Sequence, residues 1–355
     1  MPQKNDSRSD QQIRIIVIQT AFLGDVILTT PLLCALKTVY PKSYLALLTT
    51  PVGKQALWGL EELDEIISYD KKQSEKGPAA FINKVRELRS KKFELGISPH
   101  RSARSTLLMG MGGIPVLVGF EDAALPWIYH LRVKRNKSEH DVKRNLSLLG
   151  PVAKLPEHYE PRVKLPLPLN FDPAKFGINL NQRPLIGFAP GSAWPTKRWP
   201  AAKFTGLAKS LAEELGAKII LLGDQGDLEV CQEIENQAAT PVLNLAGKTR
   251  LQELFAIISK LDALVSNDSA PVHAASAFST PAAVIYGPTV PGFGYGPWLN
   301  PHRIIQKEMS CRPCHHHGPR QCPEKHFNCM SEVGISEVAG AVKELLKERG
   351  CKDKS

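Results

Sequence analysis

Apolar positions along the chain fall into short β-branched runs that alternate with stretches of helical spacing. Residues 14–18 form the first such run, and residues 25–40 repeat apolar positions at helical spacing until Pro41 closes them. Strands are predicted next at 44–48, 65–69 and 93–98, with helices at 51–60 and 79–90. Residues 151–173 hold six prolines and few periodic apolar positions, so they read as an interdomain linker. The alternation then restarts, with strands at 185–189, 218–222, 242–245, 263–265 and 282–286 and helices at 201–215, 227–237, 251–261 and 337–349. Strands alternating with helices build βαβ units and therefore a parallel sheet with right-handed crossovers. The pattern predicts an α/β chain of two Rossmann-like parallel-sheet domains with a cleft between them. The first spans 13–165, with its linker from about 151, and the second spans 166–355; a polar, disordered tail at 1–12 precedes both. Open parallel sheets bind ligands beyond their strand C-termini, so the loops at Gly24, Gly191, Gly223 and Asp268 are expected to converge on the cleft.

Length agrees with two domains, since 355 residues exceed one ordinary core. A formal charge of +10 points to an anionic partner: nucleic acid, a phosphorylated small molecule or an acidic membrane surface. No run approaches 18 apolar residues and residues 1–12 lack a signal-peptide core, which implies a cytoplasmic protein. Seven cysteines in such a chain argue against a disulfide framework.

Two stretches carry the candidate chemistry. In the first, an apolar run ending at Val265 meets Asn267, Asp268 and Ser269, which are N-cap residue types, and then the small, helix-compatible residues from Ala270 to Ala277. A helix N-terminus following a strand offers unpaired N–H groups and the positive end of the helix dipole, which suits a phosphate or pyrophosphate. The second is the loop at 189–200, which combines Ser192, Thr196, Lys197 and Arg198 with Trp194 and Trp199. Hydroxyls and cations of this kind offset charge that grows on a diphosphate leaving group. No G-x-x-x-x-G-K-[ST] and no strand-borne G-x-G-x-x-G is present, which disfavours P-loop hydrolysis and the usual dinucleotide site. Asp224 and Asp227 are candidate nucleoside contacts, or caps. Arg101, Arg104, Arg132, Lys134, Arg135, Lys137, Lys143 and Arg144 form either an acceptor face for phosphates and carboxylates or a solvated surface. Cys311, Cys314, Cys322 and Cys329, with His315 to His317 and His326 among them, have ligand types suited to a structural zinc. A nucleic-acid partner is disfavoured, because no helix-turn-helix, RRM or KH signature is present and the aromatics do not interleave with a basic stripe.

Taken in order, Gly24-Asp25 with Thr30-Pro31, the 189–192 and 196–199 segments, Leu245-Ala-Gly247, Ser266-Asn-Asp-Ser269 with His273, and Tyr286-Gly-Pro-Thr289 resemble the ADP-heptose:lipopolysaccharide heptosyltransferases of glycosyltransferase family 9. The match runs from about residue 13 to about 342. The Cys-rich segment and the Ser-Asn-Asp-Ser wording are closer to heptosyltransferase II than to I. The resemblance implies a GT-B fold with the acceptor on the N-terminal domain and the nucleotide sugar mainly on the C-terminal one. It implies inverting transfer from ADP-L-glycero-D-manno-heptose to a phosphorylated Kdo-lipid A core, with no cofactor required, at the inner-leaflet surface of the membrane. A heptosyltransferase I-type enzyme or another sugar-nucleotide transferase is the nearest alternative, and a basic nucleic-acid-binding protein the remote one. By the same resemblance Asp25 is the general base. Gly24, Ser192, Thr196, Lys197, Asp227, Asp268, Ser269 and Ala270 face the donor, with Ala270 standing where the family usually has glycine. Arg101, Arg104 and Arg144 are the expected acceptor contacts.

Overall fold

The computed structural model describes residues 12–352, with side chains through residue 350, so the tail expected at 1–12 lies outside the described residues except for its last position. The chain divides into two compact units, one holding residues up to 137 with 141–161, the other 138–140 with 162 onward.

The first unit runs β1 (Arg14–Gln19), α1 (Leu23–Val39), β2 (Tyr44–Thr49), α2 (Pro51–Leu57), β3 (Glu65–Ser68), α3 (Gly77–Ser90), β4 (Leu95–Ser98), α4 (Ala103–Met111), β5 (Val116–Phe120), β6 (Leu131–Val133) and α5 (Asp141–Ser147). Its strands form one sheet in the order β3-β2-β1-β4-β5-β6, every neighbouring pair parallel. Near-continuous apolar strands such as Ile15 to Ile18 and Leu45 to Leu48 are fully buried, as a sheet covered on both faces requires. The strand order reverses direction between β1 and β4, and the crevice beyond the carboxyl ends of those two strands is the place where such a sheet takes a ligand.

Helix α1 starts at Leu23, two residues earlier than its periodicity suggests, so Gly24 belongs to its first turn and not to a loop. Pro31 sits inside the helix and cannot donate to the carbonyl of Ile27, but Thr30 Oγ1 donates to that carbonyl at 2.8 Å and removes the orphan. Ten residues of α1, Val26 to Leu33 with Ala35 and Leu36, are buried, so the helix is enclosed rather than amphipathic.

The second unit repeats the plan with β7 (Leu185–Ala189), α6 (Ala201–Leu215), β8 (Lys218–Leu221), α7 (Leu228–Gln237), β9 (Val242–Asn244), α8 (Leu251–Lys260), β10 (Ala263–Asn267), α9 (Ala270–Ala277), β11 (Ala282–Tyr286), β12 (His302–Gln306), α10 (Asn328–Ser331) and α11 (Ile335–Lys352). Its parallel sheet is ordered β12-β11-β10-β7-β8-β9, the same topology read from the other edge, with the reversal between β7 and β10. Helix α6 ends where Gly216 adopts φ +65°, letting its N–H reach Ala212 O at 3.0 Å while Ala217 N reaches Leu211 O, a stop that a side chain would strain. Trp199 is fully buried, packs edge-on against Phe204 and donates from Nε1 to Val333 O at 3.2 Å. It fastens the loop after β7 to the start of α11.

Candidate active site

In the second unit the loop after β7 and the turn after β10 are locked together. Asn267, the last residue of β10, donates from Nδ2 to Pro190 O at 2.7 Å and accepts Trp199 N on Oδ1 at 3.1 Å, so one buried amide holds both ends of the 190–199 loop. Lys197 is thereby placed with its ammonium 2.5 Å from Asp268 Oδ2. Thr289 Oγ1 donates to the same carboxylate oxygen at 2.7 Å. Arg312 carries its guanidinium to the carbonyls of Gly287 and Thr289 and to Gln306 Oε1, which fixes the turn that presents Thr289. Next in the chain comes Ser269, the extended N-cap of α9, then Ala270 at its first position and Pro271 at its second. Ser269 Oγ donates to Asn267 O at 3.3 Å and makes no cap bond to the helix backbone. One cation, one carboxylate and a helix N-terminus thus meet at the point of strand reversal, a setting for an anionic ligand.

The other expected donor residues of this unit surround that point in different ways. Arg198 grips Ser192 O with Nε and Nη2 at 3.0 and 2.8 Å, and Ser192 Oγ accepts Trp194 N at 3.3 Å. Thr196 gives its hydroxyl to Pro319 O, so the 311–329 segment lies over the donor loop, where Trp194 also stacks on His317. Asp227 presses its carboxylate against Gly191, where a Cβ would collide with it; that close approach is why glycine stands there. Burial raises the proton affinity of Asp227, Asp224 adds to the shift, and Asp224 N donates to it at 3.2 Å. His273, one turn into α9, is buried, its Nδ1 has no partner, and burial pushes its pKa down to about 4, so the ring is neutral at physiological pH.

In the first unit Asp25 stands in the first turn of α1 and accepts Phe22 N at 3.2 Å. It is half-buried, and desolvation followed by the nearby Asp141 carboxylate pushes its pKa up to about 7. A carboxylate tuned to neutrality suits a general base far better than an ordinary surface carboxylate does. Beyond the ends of β1 and β4 lies a hydroxyl and cation cluster. Thr20 Oγ1 is 3.0 Å from His100 Nδ1, which is 2.8 Å from Ser105 Oγ, and Lys71 donates to Thr20 O at 2.8 Å. Burial pushes His100 down to about 4, with Lys71 and Arg101 adding to the effect. Arg104 reaches Tyr69 OH at 3.3 Å, and Arg101 pairs with Asp122 at 2.9 Å.

Arg144 is buried at 2 % exposure and donates to Asn136 O and Lys137 O while facing Asp141, so it braces the start of α5. Gly24, expected near the donor, belongs to the unit of Asp25 and to its helix. Cys311 Sγ lies 3.9 Å from His326 Nε2, and among the described residues no three His, Cys, Asp or Glu side chains are placed to hold a metal ion. Lys71, Arg312 and Asp141 escaped sequence reasoning, whereas Thr289 was part of the Tyr286-Gly-Pro-Thr289 motif but was given no role there.

The family profile described as glycosyltransferase family 9 (heptosyltransferase) matches residues 82–327. The lipopolysaccharide heptosyltransferase 2 of Escherichia coli K12 is 28% identical over 301 residues, covering 79% of this chain and 84% of that protein. Among solved structures, a glycosyl transferase family 9 protein from Veillonella parvula superposes with a TM-score of 0.84 at 26% identity, covering 95% of this chain and 98% of the other. ADP-heptose lipopolysaccharide heptosyltransferase II of E. coli superposes with a TM-score of 0.77 at 23% identity, covering 95% and 100%. The two parallel-sheet units are those of the GT-B heptosyltransferases, as the alternating pattern and the resemblance together led one to expect.

Proposed function

The chain belongs to the glycosyltransferase family 9 heptosyltransferases, and from that premise we propose that it transfers L-glycero-D-manno-heptose from ADP-heptose, with inversion, to heptosyl-Kdo2-lipid A. The observation that carries this reading is made in each unit by itself: a carboxylate poised near neutrality stands in the first turn of α1 in the first, and a cation and a helix N-terminus meet at the strand reversal of the second. Asp25 takes the proton of the acceptor hydroxyl as its oxygen bonds to the anomeric carbon. The bond from that carbon to the ADP oxygen breaks, and ADP leaves with the electron pair. Lys197 and the first turn of α9 offset the charge gathering on the diphosphate. The chain's own groups thus supply proton acceptance and charge compensation, and the proposed reaction has no cofactor in it.

The acceptor's phosphates and carboxylates would meet Lys71, Arg104 and Arg101 near the Thr20 and His100 cluster. The heptosyltransferase 2 names of the relatives support a core already bearing one heptose as acceptor. Peripheral contact with an anionic, cytoplasm-facing membrane surface belongs to the same proposal. Trp127 is 71% exposed, and Leu107 and Met111 of α4 are exposed as well, on a chain of charge +10. Among the described residues no helix is long and apolar enough to cross a membrane. Incubation with heptosylated core acceptor and ADP-heptose, ADP-glucose, UDP-glucose or GDP-mannose in parallel tests the donor. Product from ADP-heptose alone is expected; product from another sugar nucleotide in its place refutes the reading.

A further inference from the structure

Helix α4 buries Ser105, Thr106, Leu108 and Met109 within its own unit. Its opposite face carries Arg104, Leu107, Gly110 and Met111, with Leu107 37% and Met111 42% exposed. A surface helix ordinarily turns polar residues to solvent, so an outward face that is apolar beyond its first turn is a surface built to be covered. Leu107 and Met111 border a groove of about 380 Å3 whose walls include Gly110, Ile114 and Ile128, with the His130 ring among them. A Cβ on Gly110 would stand 2.6 Å from Ile128 Cγ2, so glycine there lets the turn at Pro126–Ile128 close onto α4 as one wall. His130 is fixed through its Nδ1, which accepts Leu117 N at 3.1 Å. The other end of the same helix is cationic. Arg104 reaches Tyr69 OH at 3.3 Å, and Lys71 Nζ lies 3.2 Å from Thr20 Oγ1, itself 3.4 Å from Ser105 Oγ of α4. Among the described residues neither cation is paired with an acid. Arg104 and Met111 stand about 10 Å apart along the helix axis, at about 1.5 Å per residue.

We propose that this groove takes an acyl chain of the anionic lipid acceptor, with an acceptor phosphate or carboxylate at Arg104 and Lys71 and the chain running along Leu107 and Met111 toward Ile128. This rests on the functional reading above and goes beyond it by giving the lipid part of the substrate its own site. Charge and polarity select the occupant. Two cations without acids at one end of α4 and an apolar channel at the other complement a molecule that is anionic at one end and hydrocarbon at the other. A segment of protein would bring backbone N–H and C=O groups into a channel whose one polar side chain is His130, whereas a hydrocarbon chain brings no polar group at all.

The test compares KM for two acceptors in vesicle-free solution: a short-chain acylated form of the heptosylated core, held below its aggregation concentration, and the same core fully deacylated. Each buried methylene is worth about fourfold in affinity, so the parent is expected to show a KM about 10-fold lower, or more, for the acylated acceptor. Leu107→Ser combined with Met111→Ser is expected to bring the two KM values together, whereas a general weakening of the fold moves both alike and leaves their ratio. Equal KM values in the parent overturn the proposal. So does a preference for the acylated acceptor that arises only on vesicles, which would show a membrane surface in place of a groove. A preference that survives in the double variant puts the chain elsewhere and overturns it as well. Should the double variant not fold, Leu107→Ser alone decides by the same ratio. Absence of product from both acceptors is a different failure, that of the functional reading itself.

Discussion

The Lys197 ammonium and the Asp268 carboxylate form a 2.5 Å ion pair in which both side chains are nearly enclosed, and Thr289 shares the same oxygen. The cation proposed for the diphosphate is therefore held in advance by the residue that ends the β10 turn. Lys197→Ala should weaken ADP-heptose binding by about 10- to 100-fold, the value of a lost charge-assisted hydrogen bond. It should also lower the melting temperature, because Asp268 is left buried with only the Thr289 hydroxyl and costs about 1–3 kcal/mol. Calorimetric titration and a melting scan check both.

Asp25 holds its proton more tightly in the folded state, at about 7 against an ordinary 3.8. Its ionisation therefore costs stability progressively as pH rises from about 4 to about 7, and the full cost is present above that. Asp25→Asn should be more stable than the parent at pH 8 and equally stable at pH 4, while losing transfer. Denaturant titrations at the two pH values measure this, and an equal difference at both would contradict the raised proton affinity.

The parent's kcat/KM should rise with pH, reach half its plateau near pH 7 and level off about one unit above as Asp25 ionises. A flat profile from pH 5 to 8 with unchanged substrate binding would remove Asp25 from the chemistry.

Trp127, in the loop between β5 and β6, is 71% exposed, and Met111 and Leu107 of α4 are exposed as well. On vesicles containing anionic phospholipid its fluorescence should shift to the blue, and Trp127→Ser should sediment with them less than the parent. Equal sedimentation of the two would place the membrane contact elsewhere.

Protein stripped with a chelator and assayed well below its melting temperature should transfer heptose at the parent rate. Loss of activity that added divalent metal restores would show a metal requirement.

The fold was legible because strands buried on both faces read as continuous apolar runs, and Pro41 and the prolines of 151–173 mark boundaries. What was missed has physical causes. Helix α4, β5, β6 and α5 lie in the charge-rich stretch from 101 to 147, where β6 is three residues long and Asp141 with Arg144 put charges inside the packing rather than outside. Strand β12, with two apolar residues between His302, Arg303 and Gln306, gives no period. Of the site, Lys197 and the Asp268 turn were readable from residue type after a strand. The burial of Arg144 was not readable, because composition cannot tell a cation facing solvent from one that donates to carbonyls seven and eight residues away.

The most direct test of the account is transfer from ADP-heptose measured side by side onto Kdo2-lipid A and onto the same acceptor already carrying one heptose. The account predicts product with the heptosylated acceptor alone. Product with the unheptosylated acceptor alone would contradict it, and would assign the chain the first heptose in place of the second.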